Sequence, residues 1–195
     1  IVRAYLKKFS NEVNAVVLSG SPSDNQLAAF GKRLIRFMAL FRGWNYRSPM
    51  IEKMVNGPFE KPFMKEGIVN AWICSDRDVV EEYNKDPLCG VTFTLNGYYA
   101  LFSLIQTVYS KLGWSKKNRD LPVMFVSGEN DPCRQGDKAF KKAVLHFKHC
   151  GFPNTFSKVY KGMRHEVFNE KNASEVYEDI LKFLEIKAGI EDIRY

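Results

Sequence analysis

Three short segments of the chain have the apolar pattern of β-strands. Residues 13–19 are rich in β-branched side chains and end at a Gly-Ser-Pro-Ser turn. Residues 122–127 form a short continuous apolar run, which is typical of a strand buried on both faces of a parallel sheet. Residues 155–160 alternate between apolar and polar positions, as a strand near a sheet edge does. The pattern therefore predicts three strands.

Helical periodicity follows the second and third of these strands. Apolar residues fall on one face of residues 135–150, and Gly151 is placed to end that helix. The last helix is predicted over residues 173–186, with Asn172 as its N-cap and Glu175 completing a capping box. Strands and helices that alternate at this spacing predict an α/β fold with parallel strands joined by right-handed crossovers.

The interval after the first strand breaks this alternation. Residues 24–95 are helical and rich in aromatic side chains, and we interpret them as an inserted cap. Residues 97–112 then have apolar side chains at helical spacing and lead back to the sheet. The predicted division is a core segment over residues 1–23, a helical cap over 24–95 and a second core segment over 96–195.

Composition and charge narrow the function classes. The chain has 195 residues, of which 45% are hydrophobic and 26% are charged, and no apolar run is long enough for a membrane span. The net charge of +7 is spread among acidic residues without a nucleic-acid-binding motif, so no nucleic-acid partner is predicted. The four cysteines lack Cys-x-x-Cys spacing, which predicts free thiols in a reducing, cytoplasmic location.

The candidate chemistry lies in the loops after the second and third strands. Asp131 follows the second strand and His165 follows the third, and the carboxyl ends of parallel strands share one edge of a sheet. A carboxylate that accepts a hydrogen bond from one imidazole nitrogen leaves the other nitrogen free to take a proton from a nucleophile. The two residues are therefore predicted to be the acid and the base of a catalytic triad.

Other residues in the sequence are weaker candidates for the acid or for a metal site. An isolated Asp-Pro or a lone histidine is usually structural, and Asp120 and Asp137 are poorer choices of acid because of where they lie on the predicted elements. His146 and His149 have no further partners at metal-ligand spacing, so we interpret them as facing solvent. Neither a metal site nor a cofactor is predicted.

Two motifs carry a resemblance to a known family. Residues 121–132, Leu-Pro-Val-Met-Phe-Val-Ser-Gly-Glu-Asn-Asp-Pro, resemble the acid-bearing segment of α/β-hydrolases, and residues 159–170 resemble their histidine segment. The His-Glu-x-x-Asn-Glu continuation and the Asp-Pro-Leu-Cys-Gly at residues 86–90 are similar to the monoacylglycerol lipase and lysophospholipase-like branch, of serine aminopeptidase type. The resemblance covers essentially the whole chain. It implies the C-terminal part of an α/β-hydrolase sheet with an inserted cap.

The nucleophile that the resemblance implies is not in the chain. That family uses a serine in Gly-x-Ser-x-Gly, and this motif is absent. Residues 1–9 resemble the helix that follows the nucleophile turn, so the serine is expected a few residues before Ile1, together with the oxyanion hole. Ser19 and Ser21 lie at the correct edge of the sheet but lack the flanking glycines. The chain is therefore expected to be a truncated fragment that is inactive alone and dimerises through an exposed sheet edge.

The leading functional hypothesis is a serine hydrolase of carboxylic esters, acting on lysophospholipids or monoacylglycerols. A peptidase, an epoxide or haloalkane hydrolase, and a non-catalytic binding domain of the same fold remain as alternatives. Apolar residues of the cap at helical spacing are predicted either to pack on the core or to line an acyl pocket, while interleaved basic residues approach a membrane surface. The predicted lining residues are Phe30, Leu34, Phe37, Met38 and Phe41.

Overall fold

The central strand of the protein is buried along its whole length. The computed structural model describes residues 1–25 and 27–189. In it, β1 (Val16–Ser19), β2 (Val123–Gly128) and β3 (Thr155–Tyr160) form a parallel sheet in the order β1-β2-β3. All six residues of β2 are buried, whereas β3 alternates less regularly and has exposed positions. The predicted α/β class and the three parallel strands are confirmed.

The helices cover both faces of the sheet and the interval between β1 and β2. They are α1 (Val2–Phe9), α2 (Ala28–Arg42), α3 (Pro49–Glu60), α4 (Arg77–Lys85), α5 (Leu95–Tyr109), α6 (Gly136–His149) and α7 (Ala173–Ala188), with short 3₁₀ turns at Ser10–Glu12, Lys61–Glu66 and Pro132–Arg134. Within the described residues, no helix is long and apolar enough to cross a bilayer.

Two apolar clusters hold the helices on the sheet. On one face, Leu6 of α1 and Phe147 of α6 are fully buried against Val123 and Phe125 of β2. On the other face, Val176 and Phe183 of α7 pack with Met124 and Val126 of β2 and with Tyr160 of β3. Because successive side chains of a strand point to opposite faces, the continuous apolar run of β2 supplies both clusters.

The helices between β1 and β2 have their own apolar cluster. Helix α2 packs on α5, and the two approach so closely at Gly31 that an added Cβ would lie 2.5 Å from the Phe102 ring. An isolated antiparallel bridge between Arg47 and Thr94 joins the segment after α2 to the residue before α5. The structure therefore places helices where the cap was predicted. The segment predicted as the second core unit extends to residue 195, and residues 190–195 lie outside the described residues.

Three local predictions are wrong. Strand β1 begins at Val16 rather than at residue 13, because its pairing partner β2 begins only at Val123. Asn172 is the N-cap of α7 as predicted, but the capping box does not form: the Asn172 side chain makes no capping bond, and the Glu175 carboxylate accepts a hydrogen bond from Lys158 Nζ. His146 does not face solvent: its Nε2 lies 3.2 Å from the Val108 carbonyl oxygen. The prediction of four free thiols is confirmed.

Candidate active site

The loops after β2 and β3 are joined by backbone hydrogen bonds. Glu129 N donates to the carbonyl oxygen of Tyr160 at 2.8 Å, and Asn130 N donates to that of Met163 at 2.9 Å. The loops approach so closely that a Cβ on Gly128 would lie 2.1 Å from the Arg164 carbonyl oxygen. Only a residue without a side chain allows this approach, so Gly128 permits the close contact between the two loops.

Asp131 and His165 are in contact at this edge of the sheet. The His165 Nδ1 lies 3.1 Å from each carboxylate oxygen of Asp131. The Asp131 side chain is 1% exposed, while that of His165 is 25% exposed. Because Nδ1 has an acceptor, the arrangement favours the tautomer with a proton on Nδ1, which leaves Nε2 unprotonated and able to take a proton.

The Asp131 carboxylate has two further hydrogen-bond donors. The backbone N–H of Cys133 donates to Oδ1 at 2.8 Å, and the Ser127 hydroxyl donates to Oδ2 at 3.2 Å. Donors of this kind stabilise the charged form of a buried carboxylate and hold it in one orientation. The role of Ser127 was not predicted, because a serine at a strand end has no sequence signal that distinguishes it from other turn residues.

Gly20 provides the space that the His165 ring occupies. A Cβ built on Gly20 would lie 2.7 Å from Cε1 of His165, and the residue has a φ of +57°, a backbone conformation that glycine adopts without steric cost. The neighbouring hydroxyls of Ser19 and Ser21 make no hydrogen bond to His165 within the described residues. The loop after β1 therefore provides space for the His165 ring rather than a functional group.

Trp72 packs against the other side of this site. Its ring centroid is 5.1 Å from that of His165, with an angle of 52° between the planes. The backbone N–H of His165 also donates to the carbonyl oxygen of Trp72 at 3.4 Å. This residue belongs to the segment between α3 and α4, and nothing in the sequence pattern indicates that it reaches the histidine, because the contact is made by tertiary packing.

A large open cavity lies beside Trp72. Its volume is about 980 Å³, and it is formed by α3, α5 and the segments around α4. Its lining is mainly apolar and includes Val55, Phe59, Trp72, Leu88, Phe93 and Leu101. Polar side chains at its surface include those of Glu52 and Asn70. A cavity of this size accommodates a ligand of several hundred daltons.

The five residues predicted to line an acyl pocket lie elsewhere, on α2. None of them lines the cavity described above. Phe30, Phe37 and Phe41 are 60%, 61% and 74% exposed, and the Phe37 and Phe41 rings pack edge to face. Leu34 and Met38 are half-buried against the cluster between α2 and α5. Helical spacing identified an apolar stripe correctly, but it did not determine which part of the stripe is buried.

One group of potential metal ligands occurs among the described residues. Donor atoms of Asp131, Cys133 and His165 lie within 4.8 Å of one another. Burial raises the pKa of the Cys133 thiol far above neutrality, and the nearby Asp131 carboxylate raises it further. The proximity of these three residues is explained by the hydrogen bonds that Asp131 makes with His165 Nδ1 and with the backbone N–H of Cys133.

Comparisons with known proteins give a consistent result. The model of the family described as serine aminopeptidase, S33, matches residues 1–172. A thermostable carboxyl esterase from Bacillus coagulans superimposes with a TM-score of 0.77 and 19% identity over 95% of this chain and 61% of its own. A lipase in an open form gives a TM-score of 0.77 with 17% identity over 95% of this chain and 61% of its own.

A soluble variant of monoglyceride lipase from Saccharomyces cerevisiae, in complex with a substrate analogue, also has this fold. It gives a TM-score of 0.64 and 17% identity over 95% of this chain and 60% of its own. No curated protein matches the sequence. The chain thus spans about three fifths of the length of the solved structures that it matches. At such low sequence identity, the structural similarity establishes a shared fold and nothing more.

Proposed function

The chain belongs to the serine aminopeptidase S33 family and has the α/β-hydrolase fold, and on this basis we propose that the whole protein hydrolyses carboxylic esters. His165 is the general base, Asp131 orients it, and a serine ahead of Ile1 is the nucleophile. The observation that carries the proposal is the hydrogen bond from His165 to a carboxylate that is 1% exposed. Burying a carboxylate is costly, and a partly exposed imidazole as its partner is typical of a catalytic pair.

The proposed reaction is acyl transfer through the free nitrogen of His165. Nε2 takes the proton of the serine hydroxyl as its oxygen attacks the ester carbonyl carbon, and the buried carboxylate stabilises the imidazolium that forms. The imidazolium then gives its proton to the leaving alcohol, and an acyl-enzyme remains. Water attacks this ester in a second step with the same base, which releases the acid and restores the serine.

The cavity beside Trp72 supports an acyl-chain preference. Its apolar lining is suited to a medium or long hydrocarbon chain, and Trp72 contacts both the cavity and the His165 ring. We therefore propose lysophospholipids or monoacylglycerols as the substrate class. Burying each additional methylene contributes about 0.8 kcal/mol, so kcat/KM should rise about fourfold per methylene while the chain fits. Efficiencies that do not rise between acetyl and octanoyl esters would exclude the cavity as an acyl site.

The catalytic pair is tested by an Asp131→Asn substitution in the whole protein. The amide preserves shape but does not stabilise the imidazolium, and it favours the wrong tautomer, so kcat should fall by about four orders of magnitude. Asp137→Asn is the matched control, because Asp137 is exposed in the first turn of α6 and pairs with Arg134 rather than with His165. An Asp131→Asn variant that keeps more than a tenth of the parental kcat would contradict the assignment.

A peptidase is the second candidate, because the matching family is described as serine aminopeptidase. The same base and orienting carboxylate serve amide hydrolysis, so the pair alone does not distinguish the two reactions. Parallel assays with an aminoacyl anilide and with an acyl ester of a comparable aromatic leaving group distinguish the peptidase from the esterase. A kcat/KM for the anilide above that for every ester would favour the peptidase.

We also propose a peripheral contact of α2 with an anionic lipid surface. The exposed rings of Phe30, Phe37 and Phe41 form an apolar stripe, and the helix carries basic residues but no acidic ones. This combination is typical of helices that lie at a membrane interface. The protein should sediment with vesicles that contain phosphatidylglycerol, and less so at high salt.

The stripe is tested by replacing two of its rings with serine. A Phe37→Ser/Phe41→Ser variant should lose vesicle binding, because it removes apolar side chains that are more than half exposed. Leu112→Ser is the control, since Leu112 is 81% exposed and lies outside α2. Equal binding by both variants would exclude α2 as the contact.

A further inference from the structure

A short segment ahead of α4 is fastened to the histidine loop at several points. We name residues 71–76 the strap. Arg164 Nη1 donates to the carbonyl oxygens of Ala71 and Cys74 at 2.6 and 3.2 Å. The guanidinium also pairs with Glu66 at 2.5 Å and lies over the Phe63 ring at 4.3 Å from its centroid. One arginine next to His165 thus holds the start and the middle of the strap.

A buried carboxylate fastens the end of the strap. Glu170 is 5% exposed, and it accepts hydrogen bonds from the backbone N–H of Ser75 at 3.0 Å and from that of Arg164 at 2.7 Å. The Ser75 hydroxyl donates to the other carboxylate oxygen. Hydrogen bonds to a charged, buried group are among the stronger ones in proteins. Glu170 therefore links the histidine loop to the strap through the backbone of both.

The strap places Trp72 against the catalytic ring. Glu166 N donates to the carbonyl oxygen of Ile73 at 2.8 Å, so the backbones of the strap and of the histidine loop run side by side. The Trp72 ring packs against both His165 and Phe59, with centroid distances of 5.1 and 5.2 Å. The contact with Phe59 and the hydrogen-bonded backbone of the strap therefore restrict movement of the indole away from the imidazole.

Asp131 contacts the imidazole at a single atom. Both carboxylate oxygens lie 3.1 Å from Nδ1, so the carboxylate holds the ring at that nitrogen. The ring is also joined to the chain at Cγ, and the motion left to it is a tilt of its plane, which shifts Nε2. The Trp72 ring packs against the imidazole and opposes this tilt.

We propose that Trp72 is a positioning residue for His165: held by the strap, it fixes the plane of the imidazole and so the direction of Nε2. The proposal rests on the proposed function for its effect on catalysis, but its effect on the ring exists in the chain whatever reaction the whole protein performs. Trp72 also forms one wall of the cavity. The position of the ring and the binding of an acyl chain therefore depend on the same side chain.

The first test measures the ring in the 195-residue chain, without any assay of activity. The Nδ1 proton of His165 gives a low-field NMR resonance while it is hydrogen-bonded and shielded from water. Trp72→Ala should broaden or abolish this resonance, and Trp72→Phe should retain it, because phenylalanine restores an aromatic ring. Trp44→Ala is the matched control, since Trp44 packs edge-on against Tyr99. A sharp resonance with unchanged water exchange in Trp72→Ala would overturn the proposal.

The second test separates positioning from cavity shape in the whole protein. An acetyl ester is too short to fill the cavity, so a residue that is only a wall should not affect its turnover. Positioning instead predicts that Trp72→Ala lowers kcat for the acetyl ester by about 10- to 100-fold with little change in KM, and that Trp72→Phe restores it to within about threefold. A loss of activity that appears only with long acyl chains would overturn the proposal.

Trp72→Leu covers the case in which the alanine variant does not fold. Leucine keeps apolar volume in the site but has no flat ring, so it should show the same loss of the Nδ1 resonance at near-parental stability. If the resonances respond as predicted but the whole protein hydrolyses no ester, the proposed function fails and the positioning role stands. If hydrolysis occurs and the Trp72 variants leave both the resonance and the acetyl kcat unchanged, the positioning role fails alone.

Discussion

Gly20→Ala is the substitution that most directly tests how the three strand-end loops build the site. The new Cβ would lie 2.7 Å from Cε1 of His165 and 3.1 Å from both ring nitrogens. Carbon atoms in contact are normally about 3.5–4.0 Å apart, so the ring must move by about 1 Å. The ring is 25% exposed and can move toward solvent. We therefore expect the substitution to displace His165 rather than to unfold the protein.

We expect the displacement to lower the rate of the proposed ester hydrolysis. The distance from Nδ1 to each Asp131 oxygen is already 3.1 Å, near the long end of the range for hydrogen bonds, so a further shift of about 1 Å breaks the interaction. A misplacement of this size costs about 10²-fold in rate. The backbone at φ +57° adds a conformational penalty of about 1–2 kcal/mol, which lowers Tm by roughly 2–8 °C in a chain of this length.

A second glycine separates these two effects. Gly43 has a φ of +76° and a ψ of 159°, a backbone conformation that essentially only glycine adopts, and no atom lies within 4 Å of an added Cβ. Gly43→Ala therefore carries a backbone penalty without the clash. Ester hydrolysis by the whole protein and thermal unfolding of both variants are the assays. We expect a lowered Tm in both variants, and a kcat/KM at least about 10²-fold lower for Gly20→Ala alone. Equal activities of the two alanine variants would refute the reasoning.

Three further predictions concern the loops, the pH dependence of stability and the thiols. Gly128→Ala places a Cβ 2.1 Å from the Arg164 carbonyl oxygen, and because backbone cannot shift cheaply, urea unfolding should show a loss of about 3 kcal/mol or more; an unchanged midpoint would contradict this. Burial lowers the pKa of His146 in the folded state, so its contribution to stability is complete above the unfolded pKa of about 6.5 and is lost as pH falls from there through the folded pKa. His146→Gln should therefore lose less stability between neutral pH and pH 5 than the parent does, as measured by urea unfolding at each pH. Only Cys89 is half-exposed, and burial raises the pKa of Cys74 to about 11, so a disulfide reagent at pH 7.5 should modify one thiol rapidly in the native chain and four in urea; rapid modification in a Cys89→Ser variant would refute this.

Much of the fold could be predicted because its signals are local. The apolar run of β2 identified a strand buried on both faces, and the helical spacing before Gly151 identified α6 to within one residue at each end. The boundaries that failed depend on partners elsewhere. Strand β1 begins where β2 can pair with it, and the Glu175 carboxylate bonds to Lys158 across α7 and β3 rather than capping its own helix.

The sequence by itself determined the α/β class and the two residues at the carboxyl edge of the sheet, because chain order and strand direction place Asp131 and His165 side by side. Tertiary structure alone decided what surrounds them. Gly20 and Trp72 lie more than 90 residues before His165, and they reach its ring only through packing. Periodicity located the apolar stripe of α2, but burial, which depends on neighbouring elements, decided that three of its rings face outward. A sequence pattern records which side chains share a face, and the packed structure determines what that face meets.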